Sequence, residues 1–139
     1  MFTKEECEML NERLKGTMCE TLGIKFLPSD DDIALAEMPI NEATRQYFGI
    51  LHGGASLALA ETVAGAGSLH LTDYDETKKI CGTQVSGNHI TMSDTKGKVF
   101  GKGTVLHCGR TSHIWNVDIV AEDGTLISTE RVENRILSF

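Results

Sequence analysis

Gly49-Ile50-Leu51-His52-Gly53-Gly54-Ala55-Ser56, followed by Glu61, is the stretch of the 139-residue chain whose residue types and spacing could do chemistry. From Gly53 to Leu69 nearly every residue is Gly, Ala, Ser, Leu, Val or Thr, and Glu61 is the only ionisable one. A helix without a polar stripe is usually buried, and a carboxylate is rarely buried unless paired or used. Partly desolvated, Glu61 could act as a general base or a nucleophile. Gly53 and Gly54 at the helix start could offer N–H groups to an oxygen gaining negative charge, with no side chain in the way. The same residues also read as a solvent-facing glutamate at a helix edge, or one paired with a core arginine, and as a tight glycine turn.

Gly53 and Glu61 are eight positions apart, which is about 12 Å on a helix rising 1.5 Å per residue. One carbonyl cannot lie ~3 Å from both. Either one of the two is functional, or each site takes Gly53 from one chain and Glu61 from another. A two-fold pair of antiparallel helices would make the second arrangement twice.

The elements that must position these residues read as α+β. Thr3 and Glu6 have capping-box spacing, and Cys7, Leu10 and Leu14 recur at helical intervals, predicting a helix over 3–15 ended by Gly16. Strands are predicted at 24–26 and 33–38, with Pro39 ending the second, and an irregular connection runs over 41–51. After the 53–69 helix, strands are expected over 80–91, 98–108, 112–121 and 125–137. Asp94-Thr95-Lys96-Gly97 and Glu122-Asp123-Gly124 read as hairpin turns. The result is a single domain over 1–139: an antiparallel sheet of about six strands with the main helix on one face.

Composition narrows the function. A net charge of −7 argues against non-specific nucleic-acid binding, though a few local cations could still hold a phosphate. Cys7, Cys19, Cys81 and Cys108 are spread out without a C-x-x-C pair, as free thiols of a reducing compartment would be. No apolar run follows a basic start and none reaches the ~20 residues of a membrane span. The expectation is a cytoplasmic protein.

The run Gln46-x-Phe48-Gly49-x-Leu51-His52-Gly53-Gly54-Ala55-Ser56 with Glu61 resembles the hotdog-fold acyl-CoA thioesterases. It is most similar to their phenylacetate-degradation and hydroxybenzoyl/dihydroxynaphthoyl-CoA branch. Asn88-His89, His107-Cys108-Gly109-Arg110-Thr111 and Trp115 match in the same order, so the resemblance covers nearly the whole chain. It implies a long central helix wrapped by an antiparallel sheet, homodimers with two shared sites, and usually homotetramers. It further implies that Glu61 is the nucleophile or the base that aims water at the thioester carbon, with the Gly53 N–H as oxyanion donor. Gln46 would position carbonyl or water, and His52 would support the same region. Two positions depart from the pattern. Gly65 stands where relatives often have Ser or Thr, and Thr91 where they often have a basic residue near the CoA phosphates.

His107, Cys108, Gly109, Arg110, Thr111 and Ser112 form the other polar constellation, whose N–H groups, hydroxyls and cation suit a pyrophosphate or 3′-phosphate. The bare pattern favours an ordinary hairpin, and its place in the resemblance reverses that. Asn88 and His89 are expected to reach the pantetheine or phosphate. His89, His107, Cys108 and His113 lack the spacing of a compact metal site, so no metal and no cofactor beyond the CoA thioester substrate is expected. His70 is expected to satisfy local carbonyls. Tyr47 and Phe48 either line an acyl pocket or form a hydrophobic plug. The expected activity is hydrolysis of an aryl- or medium-chain acyl-CoA. The alternatives are a non-catalytic acyl-CoA-binding or regulatory protein on the same scaffold, and a hydratase or dehydratase of the same fold.

Overall fold

The computed structural model describes residues 1–139. Helix α1 (Lys4–Arg13) begins with the expected capping box, in which the Thr3 hydroxyl accepts from the Glu6 N–H and the Glu6 carboxylate accepts from the Thr3 N–H. It buries Cys7 and Leu10. A five-residue helix, α2 (Met18–Leu22), follows. It is too short to show a hydrophobic period.

Strands β1 (Lys25–Leu27), β2 (Ala34–Pro39), β3 (Lys78–His89), β4 (Lys98–Cys108), β5 (Ser112–Ala121) and β6 (Leu126–Ser138) form one antiparallel sheet in the order β1-β2-β4-β5-β6-β3. Strand ends differ from the expected ones by a residue or two, and Pro39 is the last residue of β2. One expectation fails. The 94–97 segment is not a hairpin turn, because β3 and β4 are not neighbours: β3 pairs only with β6, while β4 lies between β2 and β5. The local turn chemistry of Asp94 and Gly97 specifies a reversal of direction, and says nothing about which strand the chain meets next. The Glu122-Asp123-Gly124 turn does join neighbours, β5 and β6.

Helix α3 (Gly53–Leu71) crosses the inner face of the sheet, and at ~1.5 Å per residue it is about 28 Å long. Leu59, Ala60, Val63 and Ala64 are fully buried on it. Small residues let helix and sheet approach. A Cβ at Gly67 would overlap the indole of Trp115, and one at Gly103 would stand 2.8 Å from Val63 Cγ1. The C-terminal half of α3 is fixed by Ser68, whose hydroxyl accepts from Trp115 Nε1 and Asn134 Nδ2, each at 2.9 Å. With both lone pairs engaged, that hydroxyl donates to His113 Nδ1 at 2.9 Å. Burial holds His113 below the ordinary histidine range, in keeping with a neutral ring. His70 corrects an expectation. It pairs with the Glu6 carboxylate of α1 at 2.7 Å, which also accepts from Tyr74, rather than with local carbonyls.

The two edges of the sheet are treated differently. On the β1 edge, the Asn11 side chain takes both backbone groups of Phe26, donating to its carbonyl and accepting from its N–H at 2.7 Å. The opposite edge is β3, which is twelve residues long, largely exposed, and has no such cover. A long bare edge is a template for another strand.

Candidate active site

Helix α3 starts at the expected glycine, and its first turn shows which donor is available. His52 is the N-cap, and its Nδ1 accepts from the Gly54 N–H at 2.7 Å. The Ala55 and Ser56 N–H groups both reach the His52 carbonyl. Gly53 N–H alone has no acceptor, as the first residue of a helix with its dipole behind it. With Nδ1 accepting, the His52 ring proton is on Nε2.

Gly53 opens onto a cavity of about 270 Å³ whose walls include Gln46, Ser56, His89, Thr91 and Ile127. The loop before α3 carries Gln46 there. Buried Thr44 anchors that loop by donating to the Pro39 carbonyl at 2.7 Å and accepting at its own carbonyl from the His52 N–H at 2.8 Å. Ser93 Oγ accepts from the Leu51 N–H at 2.8 Å. The Gln46 side-chain carbonyl accepts from the Phe48 N–H, which leaves its amide N–H groups for a ligand. Tyr47 and Phe48 pack edge to face on each other with 94% and 79% exposure, so in a single protomer they are not a plug.

His89 meets Gly53 directly. A Cβ at Gly53 would overlap His89 Nε2 and stand 2.9 Å from both ring carbons beside it. Glycine at 53 is therefore required by the histidine as well as by any ligand. The other ring nitrogen is 2.9 Å from Ser128 Oγ.

Glu61 lies elsewhere. Its carboxylate covers Gly82 of β3, and the residue is exposed. The burial expected from the apolar run is thus not met within one protomer. The exposed or half-exposed face of α3 runs through Gly54, Ala58, Glu61 and Gly65, and a Cβ at Gly65 would touch nothing within 4 Å.

The 107–112 segment also sits apart from His89. It turns between β4 and β5, with the Gly109 N–H donating to the Ser112 carbonyl at 2.9 Å and Arg110 exposed without an ion pair. Cys108 Sγ is 3.5 Å from His113 Nε2. Ser112 is opposite Arg135 on β6, whereas His89 is opposite Ser128. Seven residues of strand separate those positions, about 23 Å at ~3.3 Å per residue. Asn88 and His89 therefore do not meet Arg110, Thr111 and Ser112 within one protomer. The structure gathers Gln46, Gly53 and His89, with His52 as the cap beneath them, and leaves Glu61 and the 107–112 turn as two separate outposts. Ser128 and Glu130, behind His89, were missed. The available signal was Ser128, Glu130 and Asn134 sharing one face of a strand with Val132 and Ile136, which makes that face too polar for plain core.

Comparison with known proteins agrees with this fold. The profile of the Thioesterase superfamily matches residues 48–128. The chain is 42% identical over 130 residues to the proofreading thioesterase EntH of Cronobacter sakazakii, covering 94% of this chain and 93% of the relative. It is 35% identical over 130 residues to the 1,4-dihydroxy-2-naphthoyl-CoA hydrolase of Escherichia coli, with the same coverages. The crystal structure of a mutant thioesterase from Pseudomonas aeruginosa superposes with a TM-score of 0.92 at 31% identity, over 99% of this chain and 97% of that one. The chain belongs to the thioesterase superfamily and has its hotdog fold. It is a thioester hydrolase.

Proposed function

We propose that the protein hydrolyses acyl-CoA thioesters at two identical sites of a homodimer. Each site would combine Gly53 and Gln46 of one chain with Glu61 of the other. The observation that carries this reading is the unpaired Gly53 N–H on the wall of a cavity that Glu61 of the same chain does not line. Pairing β3 with its own copy in antiparallel register would satisfy the bare edge. It would also set Lys78 of one chain near His89 of the other. The small-residue faces of the two α3 helices would then meet, and Glu61, above Gly82, would approach the neighbouring Gly53 cavity. The 107–112 turn, at the Lys78 end of the sheet, would swing toward that cavity too. In the dimer, Asn88, His89 and the cation and hydroxyls of Arg110, Thr111 and Ser112 would thus serve one substrate.

In this arrangement the thioester oxygen accepts from the Gly53 N–H and the Gln46 amide, which stabilise it as charge develops. Glu61 either attacks the carbonyl carbon or removes a proton from the attacking water. The C–S bond breaks, the hydroxyl of water ends on the acyl carbon, and its proton ends on the CoA sulfur. The open space beside Gly65 suits an aryl or medium-length acyl group, and an aryl-CoA is what the E. coli relative's name describes. No helix is long and apolar enough to cross a membrane, and all four cysteines are free, which fits the reducing cytoplasm. The test is thiol release across a panel of acyl-CoAs. Hydrolysis of aryl or medium-chain members supports the reading, and tight CoA binding without hydrolysis of any member overturns it.

A further inference from the structure

His89 has one ring nitrogen at the site and the other on a buried polar chain. Across the β3–β6 ladder His89 is opposite Ser128 and Gly87 is opposite Glu130. Ser128 Oγ is 2.9 Å from His89 Nδ1, 3.2 Å from the Asn88 carbonyl, and hydrogen-bonded to Glu130 Oε1. Glu130 is 1% exposed and Ser128 fully buried. The glutamate fits only because residue 87 is glycine, since a Cβ there would stand 2.6 Å from Glu130 Cγ. Glu130 has no cation partner, and its Oε2 has no hydrogen-bond partner at all. Asp118 on β5 is the titratable group whose charge acts on it, and His89 on β3 is linked to it only through Ser128. Glu61, the one carboxylate of α3, lies over Gly82 instead.

We propose that Ser128 and Glu130 are positioning residues that decide which nitrogen of His89 carries its proton, and so whether His89 offers the thioester site a hydrogen-bond donor or an acceptor. The proposal rests on the site assigned above. An ionised carboxylate with an orphaned oxygen in the core is costly, so the acid form is favoured. Burial pushes Glu130 up to about 7; the Ser128 hydrogen bond opposes this and the Asp118 charge reinforces it. As the neutral acid, Glu130 donates its only proton to Ser128 Oγ. The hydroxyl's own proton then goes to the nearer acceptor, His89 Nδ1. That places the ring proton on Nε2, the edge beside Gly53, as a third donor to the thioester oxygen beside Gly53 and Gln46. When Glu130 ionises, its carboxylate accepts a hydrogen bond from the Ser128 hydroxyl, which in turn accepts from Nδ1–H, leaving Nε2 bare. One proton is released overall, and the site loses a donor.

The test is nitrogen NMR of the His89 ring together with the pH dependence of kcat. In Glu130→Gln the amide N–H remains a donor to Ser128 at every pH and mimics the neutral acid. At about pH 8.5, above the range in which a free imidazole is charged, His89 is expected as the Nδ1–H tautomer in the wild type and as Nε2–H in Glu130→Gln. Wild-type kcat is expected to fall about tenfold between about pH 6.5 and 8.5, the scale of one lost hydrogen bond, while Glu130→Gln holds its rate. Should the variant fold poorly, the wild-type tautomer alone decides, since it must change from Nε2–H to Nδ1–H as pH rises through about 7. An unchanged tautomer in an enzyme that hydrolyses acyl-CoA overturns the positioning role alone. An enzyme inert toward every acyl-CoA overturns the thioesterase site, and the NMR arm remains readable without substrate.

Discussion

Replacing Gly53 with alanine tests the helix start where two requirements meet. The added methyl would overlap His89 Nε2 and stand 2.9 Å from both adjacent ring carbons, well inside the 3.5–4.0 Å of a comfortable carbon contact, roughly speaking. The ring cannot simply swing away, because Nδ1 is held by Ser128. Forcing a methyl into such a contact costs about 1–3 kcal/mol, a drop of roughly 3–10 °C in Tm for a chain of this size. Relief by moving the first turn of α3 would carry the Gly53 N–H off its line, and misplacing one oxyanion donor costs about 100-fold or more in kcat. Thermal melts and acyl-CoA turnover would be compared for Gly53→Ala, His89→Ala and the double variant. Removing the ring should remove the clash, so the double variant should melt within about 1 °C of His89→Ala, giving strong non-additivity. A Gly53→Ala protein with wild-type Tm and turnover, or equal destabilisation in both backgrounds, would refute the reasoning.

Three further outcomes follow from other parts of the molecule. Glu61→Ala should lose at least ~100-fold in turnover, the scale of a catalytic acid-base group, while its Tm stays close to wild type, because the residue is exposed and makes no hydrogen bond in the protomer. Glu130 binds its proton up to about pH 7 in the folded chain, against an ordinary carboxylate value when unfolded. The folded state therefore holds more protons between about pH 4.5 and 7, and stability falls as pH rises through that window. The Tm of Glu130→Gln minus that of wild type should accordingly grow from about pH 4.5 to 7 and level off above. Ser68→Ala would leave groups on His113, Trp115 and Asn134 without their shared partner. Asn134 Nδ2 keeps the Ala64 carbonyl, so a loss of about 2–6 kcal/mol is expected by denaturant titration, at about 1–3 kcal/mol for each of the two buried groups left unpaired on His113 and Trp115.

Much of the fold was legible because it is written locally. Thr3 and Glu6 announce their own cap, and Gly53 marks the start of α3. The alternation of Trp115, Val117 and Ile119 shows the inner face of β5. What was not legible depends on pairing between distant segments. The 94–97 turn has the chemistry of a hairpin, but β3 finds its partner in β6, and nothing within four turn residues encodes that. Met18–Leu22 is a single turn and a half, too brief to display a period. The site divides in the same way. Gln46, His52 and Gly53 are close in sequence and come together as expected. The packing of His89 on Gly53 needs the β3–β6 register as well as the placement of α3. Ser128 and Glu130 show in the sequence only as a strand face too polar for plain core, and their place behind the ring needs that register. Glu61 was recognisable as the odd carboxylate of an apolar helix, but its exposure in one protomer follows from the bare edge strand beside it.

The claim that matters most is that Glu61 works across the dimer on a thioester held by Gly53 of the other chain. Co-expression of equal amounts of Glu61→Ala and Gly53→Ala chains tests it directly. In the mixed dimer one site carries both defects and the other carries neither. With random pairing, roughly half the dimers are mixed and each has one intact site of two. About a quarter of wild-type activity should therefore return from two nearly inactive parents. Activity no higher than the average of the two parents would contradict the shared site and place Glu61 and Gly53 in separate roles.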